Sequence, residues 1–389
     1  MTDAFSLTST TDPYPEYERM RAESTVQQTS VGLTFLSHEY CSAVLRDDRW
    51  GRGAPGERAR GRETAGQRRS FLRQDPPEHT RLRGLVSKAF SPRVVAELRP
   101  RVQQITDDLL DAAWDGGEVD LVQALNFPLP ITVICELLGV PLEDRGQFSR
   151  FAPALARGED PESSLSGEEK RERSRAIMYF RMYFGELLVK RRRNPGADLI
   201  SALSQVRESE QGLDDGDLLA TCVLLLMAGH ETTVNLIGNA VRALLLNPDQ
   251  LALLRGGKLP DNAPWVDELL RYDSPVQFMA RRTLKDVEFA GLSLPKGSNA
   301  VLVLGAANRD PEVFADPARL DLTRPNVRHL GFGMGIHFCL GAQLARMEVE
   351  IAVRSLIERA PDLELVEGPP IYKDNRVMRG LAKLPVRLR

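Results

Sequence analysis

The chain has 389 residues, more than one domain usually holds, yet no clear linker divides it. Hydrophobic residues make up 42% and charged residues 27%, a globular balance, and a net charge of −3 gives no global drive toward nucleic acid or a membrane surface. The opening Met1-Thr2-Asp3-Ala4-Phe5-Ser6 lacks the basic and apolar stretches of a signal peptide, and four scattered cysteines make no disulfide framework, so a soluble, cytoplasmic protein is expected.

Asp12-Pro13-Tyr14-Pro15 predicts a turn into a short helix through Glu18 and Arg21. Val31 to Leu36 predicts a strand. His38 reads as an ordinary surface residue opening a helix to Leu45, with Cys41 in the core. Arg49 to Arg69 holds seven arginines against Glu57 and Glu63, with few apolar residues, and predicts a mobile loop. A solvated segment explains it, and so does a surface that greets an acidic substrate or carrier. Asp75-Pro76-Pro77-Glu78 then starts a helix that places His79 and Arg83 on one face, where they can hold a carboxylate. Most such pairs only decorate a surface.

Residues 94–114 and 119–140 predict helices, the second turning Ile131, Val133, Ile134 and Leu137 to a core. Glu168 to Arg175 reads as a solvated helix face, and Lys190 to Arg193 closes a helix before Asn194-Pro195-Gly196 breaks it. A long helix is predicted from about Asp217 to Leu246. Its charge-free run, Leu218 to Gly229, is too short to span a bilayer. Its middle, Ala228-Gly229-His230-Glu231-Thr232-Thr233, is polar where burial asks for apolar residues, and such local conflict marks function. A zincin-like H-E-x-x-H fails because its fifth position is Val234. Further on, Glu268 and Arg271 share a helix face, Val287 to Leu294 predicts a hairpin, Ala300 to Leu304 a buried strand, and Pro369 to Leu388 a final hairpin.

The most unusual stretch is Gly331-Phe332-Gly333-Met334-Gly335-Ile336-His337-Phe338-Cys339-Leu340-Gly341-Ala342. Alternating glycines let the backbone fold back so that amides can face the Cys339 sulfur, and an ensuing helix N-terminus also favours a thiolate. Leu344, Met347, Ile351 and Ile357 anchor that helix in a core. A stabilised thiolate serves as nucleophile or metal ligand, and His337 leaves the first use open. Zinc would need companions, and no CxxC pair exists. One cysteine holding a metal from one side suits haem, whose porphyrin supplies the other four ligands.

Phe332 to Gly341 resembles the haem-binding loop of the cytochrome P-450 family, matching F-G-x-G-x-H/R-x-C-x-G throughout. Asp75 to Arg83 is similar to the family's D-P-P-x-H-x-x-x-R, Ala228 to Thr233 to A-G-x-D/E-T-T, and Glu268 to Arg271 to E-x-x-R. The resemblance implies a mainly α fold with a smaller β part (α+β). It implies one domain over residues 1–389, with haem b between a long central helix and the Cys-bearing loop. The small β part would come from N-terminal, 287–304 and C-terminal strands.

By the same resemblance Cys339 is the iron ligand in a loop with Phe332 and Gly341. His79, Arg83, Arg281 and His337 would neutralise the propionates, with Arg282 the substitute for Arg281 if register slips by one and His329 in the same neighbourhood. Ala228 and Gly229 would leave room for O₂, Glu231 would relay protons, and Thr232 would hold the activated oxygen by a hydrogen bond. His230 falls at a variable position and is read as non-catalytic. Glu268, Arg271 and Arg324 would form a structural network.

The implied activity is a haem-thiolate monooxygenase that hydroxylates or epoxidises a small organic substrate, with a secondary metabolite expected. The chain has no nicotinamide or flavin fingerprint, so electrons would come from a separate ferredoxin and ferredoxin reductase, docking on Arg83, Lys88, Arg328 and Arg346. A monomer is expected, with no nucleic-acid or membrane partner. Candidate substrate contacts are Val276, Met279, Val377 and Met378, with parts of 49–69 and 150–185. Oxidative coupling, peroxide-driven oxidation and a non-catalytic haem sensor are the alternatives. The Glu231–Thr232 pair argues for O₂ activation over the last two.

Overall fold

Helical spacing of apolar residues dominates the chain, and helices dominate the fold. A computed structural model describes residues 11–29, 32–52, 70–114, 117–161, 164–205, 214–257, 259 and 264–388. Residues 53–69, most of the arginine-rich stretch, lie outside the described residues.

The helices are α1 (Tyr14–Glu23), α2 (His38–Arg46), α3 (Glu78–Ser87), α4 (Pro92–Ala113), α5 (Pro128–Leu138), α6 (Arg145–Ala156), α7 (Gly167–Arg193), α8 (Leu199–Gln205), α9 (Asp215–Leu246), α10 (Pro248–Arg255), α11 (Trp265–Tyr272), α12 (Leu304–Ala307) and α13 (Ala342–Arg359). The strands are β1 (Val26–Thr29), β2 (Gly32–Phe35), β3 (Trp50–Gly51), β4 (Glu118–Asp120), β5 (Phe278–Thr283), β6 (Val287–Phe289), β7 (Leu292–Leu294), β8 (Asn299–Val303), β9 (Glu364–Leu365), β10 (Ile371–Tyr372), β11 (Leu381–Lys383) and β12 (Pro385–Arg387). This is the mainly α arrangement with a smaller β part that the sequence implies.

The chain forms two compact units. The first gathers the residues through Trp50, Leu98–Leu129 and everything from Thr232; the second gathers Gly51–Glu97 and Pro130–Glu231. The division falls inside α9, between Glu231 and Thr232.

In the first unit a sheet runs in the order β1-β2-β8-β5-β3. β2 lies parallel to β8, and β5 is antiparallel to β8 with Arg281 opposite Ala300 and Arg282 opposite Asn299. Phe35, Cys41, Val44, Leu302 and Leu330 form a buried core there, and Val276, Met279 and Met334 pack against it. Each fully buried aliphatic or aromatic side chain stabilises the unit by about 1.5–3 kcal/mol before entropy is counted. Because Met334 belongs to the Cys339 loop, that core also seats the loop.

The Glu268–Arg271 pair is wholly buried. Arg271 donates Nε and Nη2 to the two Glu268 carboxylate oxygens at 2.7 and 2.8 Å. Its other donors reach the carbonyls of Asn308, Pro317 and Arg319 at 3.0, 2.8 and 3.1 Å. All of the guanidinium's hydrogen-bonding capacity is used, which makes its burial tolerable. Arg324 Nε reaches Glu268 Oε2 at 3.2 Å, as expected. The network pins the 308–324 segment to α11.

Three expectations change. Residues 119–140 are not one helix: β4 leads into a π-helical turn at Val122–Asn126 before α5 begins. Pro128 and Pro130 lack the N–H groups that a continuous helix needs, and Asp120 Oδ1 instead accepts from Val122 and Leu384 amides at 3.0 and 2.8 Å. The C-terminal segment is not a simple hairpin. β10 pairs with β11, but β12 leaves to pair with β4 and β9. His38 is buried, its amide donating to Asp310 at 2.8 Å and its Nε2 lying 2.7 Å from the Arg328 carbonyl.

In the second unit α7 opens with a capping box between Ser166 and Glu169 and ends in Lys190–Arg193, where Arg191 also donates to the Gly139 carbonyl at 2.7 Å. Phe148, Phe180 and Phe184 pack edge-on and stacked between α6 and α7. α9, at 32 residues, exceeds its charge-free run and is long and apolar enough to cross a bilayer by composition alone. Of its apolar window, 72% is buried inside the protein, as in a core helix.

Candidate active site

The Cys339 loop is closed by its own backbone. Cys339 N donates to Phe332 O at 2.8 Å, Gly333 N to Leu330 O at 2.8 Å, and Phe338 N to Gly335 O at 3.1 Å. Gly333 and Gly335 both take φ of +67°, a left-handed conformation that glycine alone adopts at little cost. At Gly335 a Cβ would collide with the Leu45 carbonyl, so the loop lies tight against the end of α2. At Gly331 a Cβ would lie 2.8 Å from Leu270 Cγ, so the loop's other end is pressed on α11.

Side chains lock the same loop. Phe332 is buried, with the Arg346 guanidinium 4.5 Å above its ring. Arg346 Nε donates to Asp267 Oδ1 at 2.8 Å, and His329 Nε2 reaches the same oxygen at 3.0 Å. His329 Nδ1 accepts from Gly331 N at 3.0 Å, which fixes the imidazole proton on Nε2. Burial alone would raise the Asp267 pKa, but His329 and Arg346 outweigh it and hold that carboxyl below its usual range. His329 therefore braces the loop, and Arg346 is already committed to Asp267.

Cys339 differs from the other thiols. Cys41, Cys135 and Cys222 are buried, whereas Cys339 is half-buried and sits just before α13. Burial pushes Cys135 and Cys222 up to about 12 and raises Cys41 further still, so none of them supplies a thiolate near neutral pH. Gly341 has an ordinary φ of −89°, and a Cβ there would meet nothing within 4 Å. Neither strain nor packing within the chain asks for glycine at that position.

On β5, Met279 and Arg281 share one face of the strand. The Met279 methyl lies 3.7 Å from where a Cβ on Gly333 would be. Arg281 is 4% exposed and donates to the Ala280 carbonyl at 2.9 Å. Arg282, the substitute if register slipped, points the other way and donates to Asn299 Oδ1 at 2.8 Å. Val276 bridges Met378, and Gln277 N donates to Val377 O at 3.0 Å. Three of the four substrate candidates are thus neighbours, and Met279 follows Val276 in the chain, on β5. His337 and Thr232 are half-buried in this unit.

The second unit carries the remaining candidates. On α9, Ala228 is exposed, Gly229 half-buried and Glu231 buried. A Cβ at Gly229 would lie 3.1 Å from Ile134 Cδ1, so helix packing on α5 is tight at that glycine. His79 is 1% exposed on α3; its burial, followed by the nearby Arg83, holds its pKa below the usual value. It is a hydrogen-bond donor rather than a standing cation near neutral pH. Arg81, on the same helix, donates to Asp217 Oδ2 at 2.9 Å and ties α3 to the first turn of α9. Of the arginine-rich stretch, Arg49 pairs with Asp47 and Arg52 with Glu159 at 3.1 Å. Both described arginines of that stretch are engaged by carboxylates, Arg49 nearby and Arg52 far along the chain.

The residues fit haem. The first unit offers one half-buried thiol at Cys339, open space at Gly341 and the buried guanidinium of Arg281, able to neutralise a carboxylate. The second unit, taken by itself, offers the buried His79 as a donor. Among the described residues no cluster of His, Cys, Asp and Glu suits a bare metal ion. The residue that sequence reasoning set aside is His230. It is wholly buried with its Nε2 3.8 Å from Glu231 Oε2.

Comparison with known proteins gives the family. The family pattern described as Cytochrome P-450 matches residues 263–384. Cytochrome P-450 107B1 of Saccharopolyspora erythraea is 49% identical over 82% of this chain and 76% of its own. Vitamin D(3) 25-hydroxylase of Pseudonocardia autotrophica is 40% identical over 99% of this chain and 96% of its own. Among solved structures, the bacillaene polyketide synthase cytochrome PksS of Bacillus subtilis 168 superposes with a TM-score of 0.90, at 35% identity, over 100% of both chains.

Proposed function

The chain belongs to the cytochrome P-450 family, binds haem b and is a haem-thiolate monooxygenase, and from that premise we propose that Cys339 is the iron ligand and that ferredoxin supplies the electrons. The observation that carries the assignment is the half-buried Cys339 thiol, set in a loop closed by the Phe332 carbonyl, while the other thiols are buried. The bound haem supplies the O₂ activation and oxygen insertion, and a thiolate ligand favours O–O cleavage.

The chain's own residues do the rest. Arg281, His79, Arg83 and His337 bind and orient the two propionates by charge-assisted hydrogen bonds. The Glu231 carboxyl would hold and relay a proton, and the Thr232 Oγ1–H would donate a hydrogen bond toward O₂. Ala228 keeps its face of α9 free of bulk, and Gly229 serves helix packing as well as access. Phe332 and Gly341 shape the loop beside Cys339. Val276, Met279, Val377 and Met378 contact substrate.

The substrate we favour is a modest-sized secondary metabolite, supported by the association of one structural relative with bacillaene polyketide synthase. We place the protein as a cytoplasmic monomer. Lys88 and Arg328, with Arg83, serve ferredoxin docking; Arg346 is a weaker candidate because Asp267 engages it. The Glu231–Thr232 pair favours O₂ over peroxide as oxidant. A screen for compounds that shift the haem spin state identifies substrates. Turnover of a hit under ¹⁸O₂ with ferredoxin and its reductase should put one labelled atom in the product; unlabelled product would refute oxygen insertion from O₂.

A further inference from the structure

α7 buries one face and leaves the opposite one bare. Phe180 and Phe184 pack against Phe148 of α6, while Met178, Met182 and Val189 are 65%, 63% and 48% exposed. Offsets of four and seven residues put these three in one stripe along the helix. Single exposed apolar side chains are ordinary, but a stripe of them has the form of a helix-packing seam. The same stripe carries Glu168, Arg171, Arg175, Glu186 and Arg193, all exposed. None of these five makes an ion pair among the described residues, whereas Arg191 and Arg192 beside them pair with Asp198 and Asp215.

The order along the stripe is self-complementary. When a second α7 lies antiparallel about a two-fold axis between residues 180 and 181, Met178 meets the second copy's Met182. In that register Arg175 meets Glu186, Glu168 meets Arg193, and the Arg171 stem covers Val189. All four pairs agree in register to within one residue, and the axis repeats each of them. Gly185 flanks the stripe, and a Cβ there would meet nothing within 4 Å, so packing within the described residues does not ask for glycine. Its bare Cα leaves room for the second copy's Arg175 stem. A parallel pairing would instead set Arg175 against Arg175 and Glu186 against Glu186, which is repulsive.

We propose that this face of α7 is a self-association surface that takes a second copy of this chain, antiparallel about a two-fold axis. One helix seam covers less area than an obligate dimer needs, so the association is weak and reversible, in the micromolar range. The monomer described above is its dilute form.

Sedimentation velocity of the haem-loaded protein from about 1 to 200 μM reads the association directly. The weight-average sedimentation coefficient of the parent should rise with concentration toward that of a dimer. Glu186→Arg sets like charges face to face at both copies of that contact and should raise the dissociation constant about tenfold; Arg175→Glu should do the same. Combining the two in one chain restores opposite charges and should return the constant to within about threefold of the parent, which damage to the fold cannot do. Met178→Asp with Met182→Asp should abolish association, with haem content and circular dichroism checking that the fold is kept.

A parent that sediments as one chain at every concentration would overturn the proposal. So would singly substituted chains that associate like the parent, or a combined variant no better than either alone. Vesicles of phosphatidylcholine and phosphatidylglycerol offer the other occupant of an apolar and charged face. Parent binding to them that the double methionine variant loses, without self-association, would assign the stripe to a lipid surface and overturn the proposal as well.

Discussion

Glu348, on the helix that follows the Cys339 loop, should make stability depend on pH in a way that one substitution removes. It is 1% exposed, and burial with no compensating cation pushes its pKa from 4.5 up to about 8. The unfolded chain releases this proton near 4.5, whereas the folded chain holds it to about 8. Folding is therefore unaffected by this group below pH 4.5 and loses stability as pH rises toward 8, after which the cost is constant. At about 1.4 kcal/mol per pKa unit, the full cost above pH 8 is about 5 kcal/mol, and about 3 kcal/mol is present at pH 7. Glu348→Gln removes the titration while keeping the shape. Urea unfolding of the haem-loaded protein, followed by circular dichroism from pH 5 to 9, compares the two. The stability of Glu348→Gln relative to the parent should climb by about 1.4 kcal/mol per pH unit and level off near pH 8. Parallel pH profiles would refute the argument that this carboxyl is folded in its neutral form.

Arg271→Ala leaves the buried Glu268 carboxylate with Arg324 and the Asp321 amide but without its paired guanidinium, and should cost about 3–5 kcal/mol in urea unfolding with loss of haem retention. A cost below 1 kcal/mol would show that the 308–324 segment does not depend on this network. Gly335→Ala should lose about 1–2 kcal/mol to left-handed strain, plus the collision with the Leu45 carbonyl, read as a lower thermal midpoint. By contrast, Gly341→Ala should leave haem-free stability within about 0.5 kcal/mol of the parent while weakening haem retention, because the space at that glycine is open within the chain alone. Thr232→Ala should preserve haem content yet divert electrons from product to peroxide during turnover; undiminished product per electron pair would take Thr232 out of the proton path.

Short-range features were legible because few residues determine them. The alternating glycines around Met334 foretold a loop folded on itself, and two of them do take positive φ. The polar interruption at 228–233 marked α9 before any coordinate did. The Glu268–Arg271–Arg324 cluster followed from the family resemblance, since a three-residue spacing by itself is common on helices, and the structure forms it. What stayed hidden depends on distant partners. His38 looks like a surface residue until Asp310, 272 positions later, accepts from its amide. β12 looks like a hairpin strand until Asp120 takes the Leu384 amide from 264 positions away. Gly229 looked like room for a ligand, and packing on Ile134 adds a second reason no spacing rule reveals.

The central claim is that sulfur of Cys339 ligates the haem iron. The most direct measurement is the absorption spectrum of the dithionite-reduced, CO-bound protein, for the parent chain and for Cys339→Ser at matched haem content. The parent should show the strongly red-shifted Soret band of a thiolate–CO complex, and Cys339→Ser should lose it. The same band in the serine variant would mean that another group holds the iron.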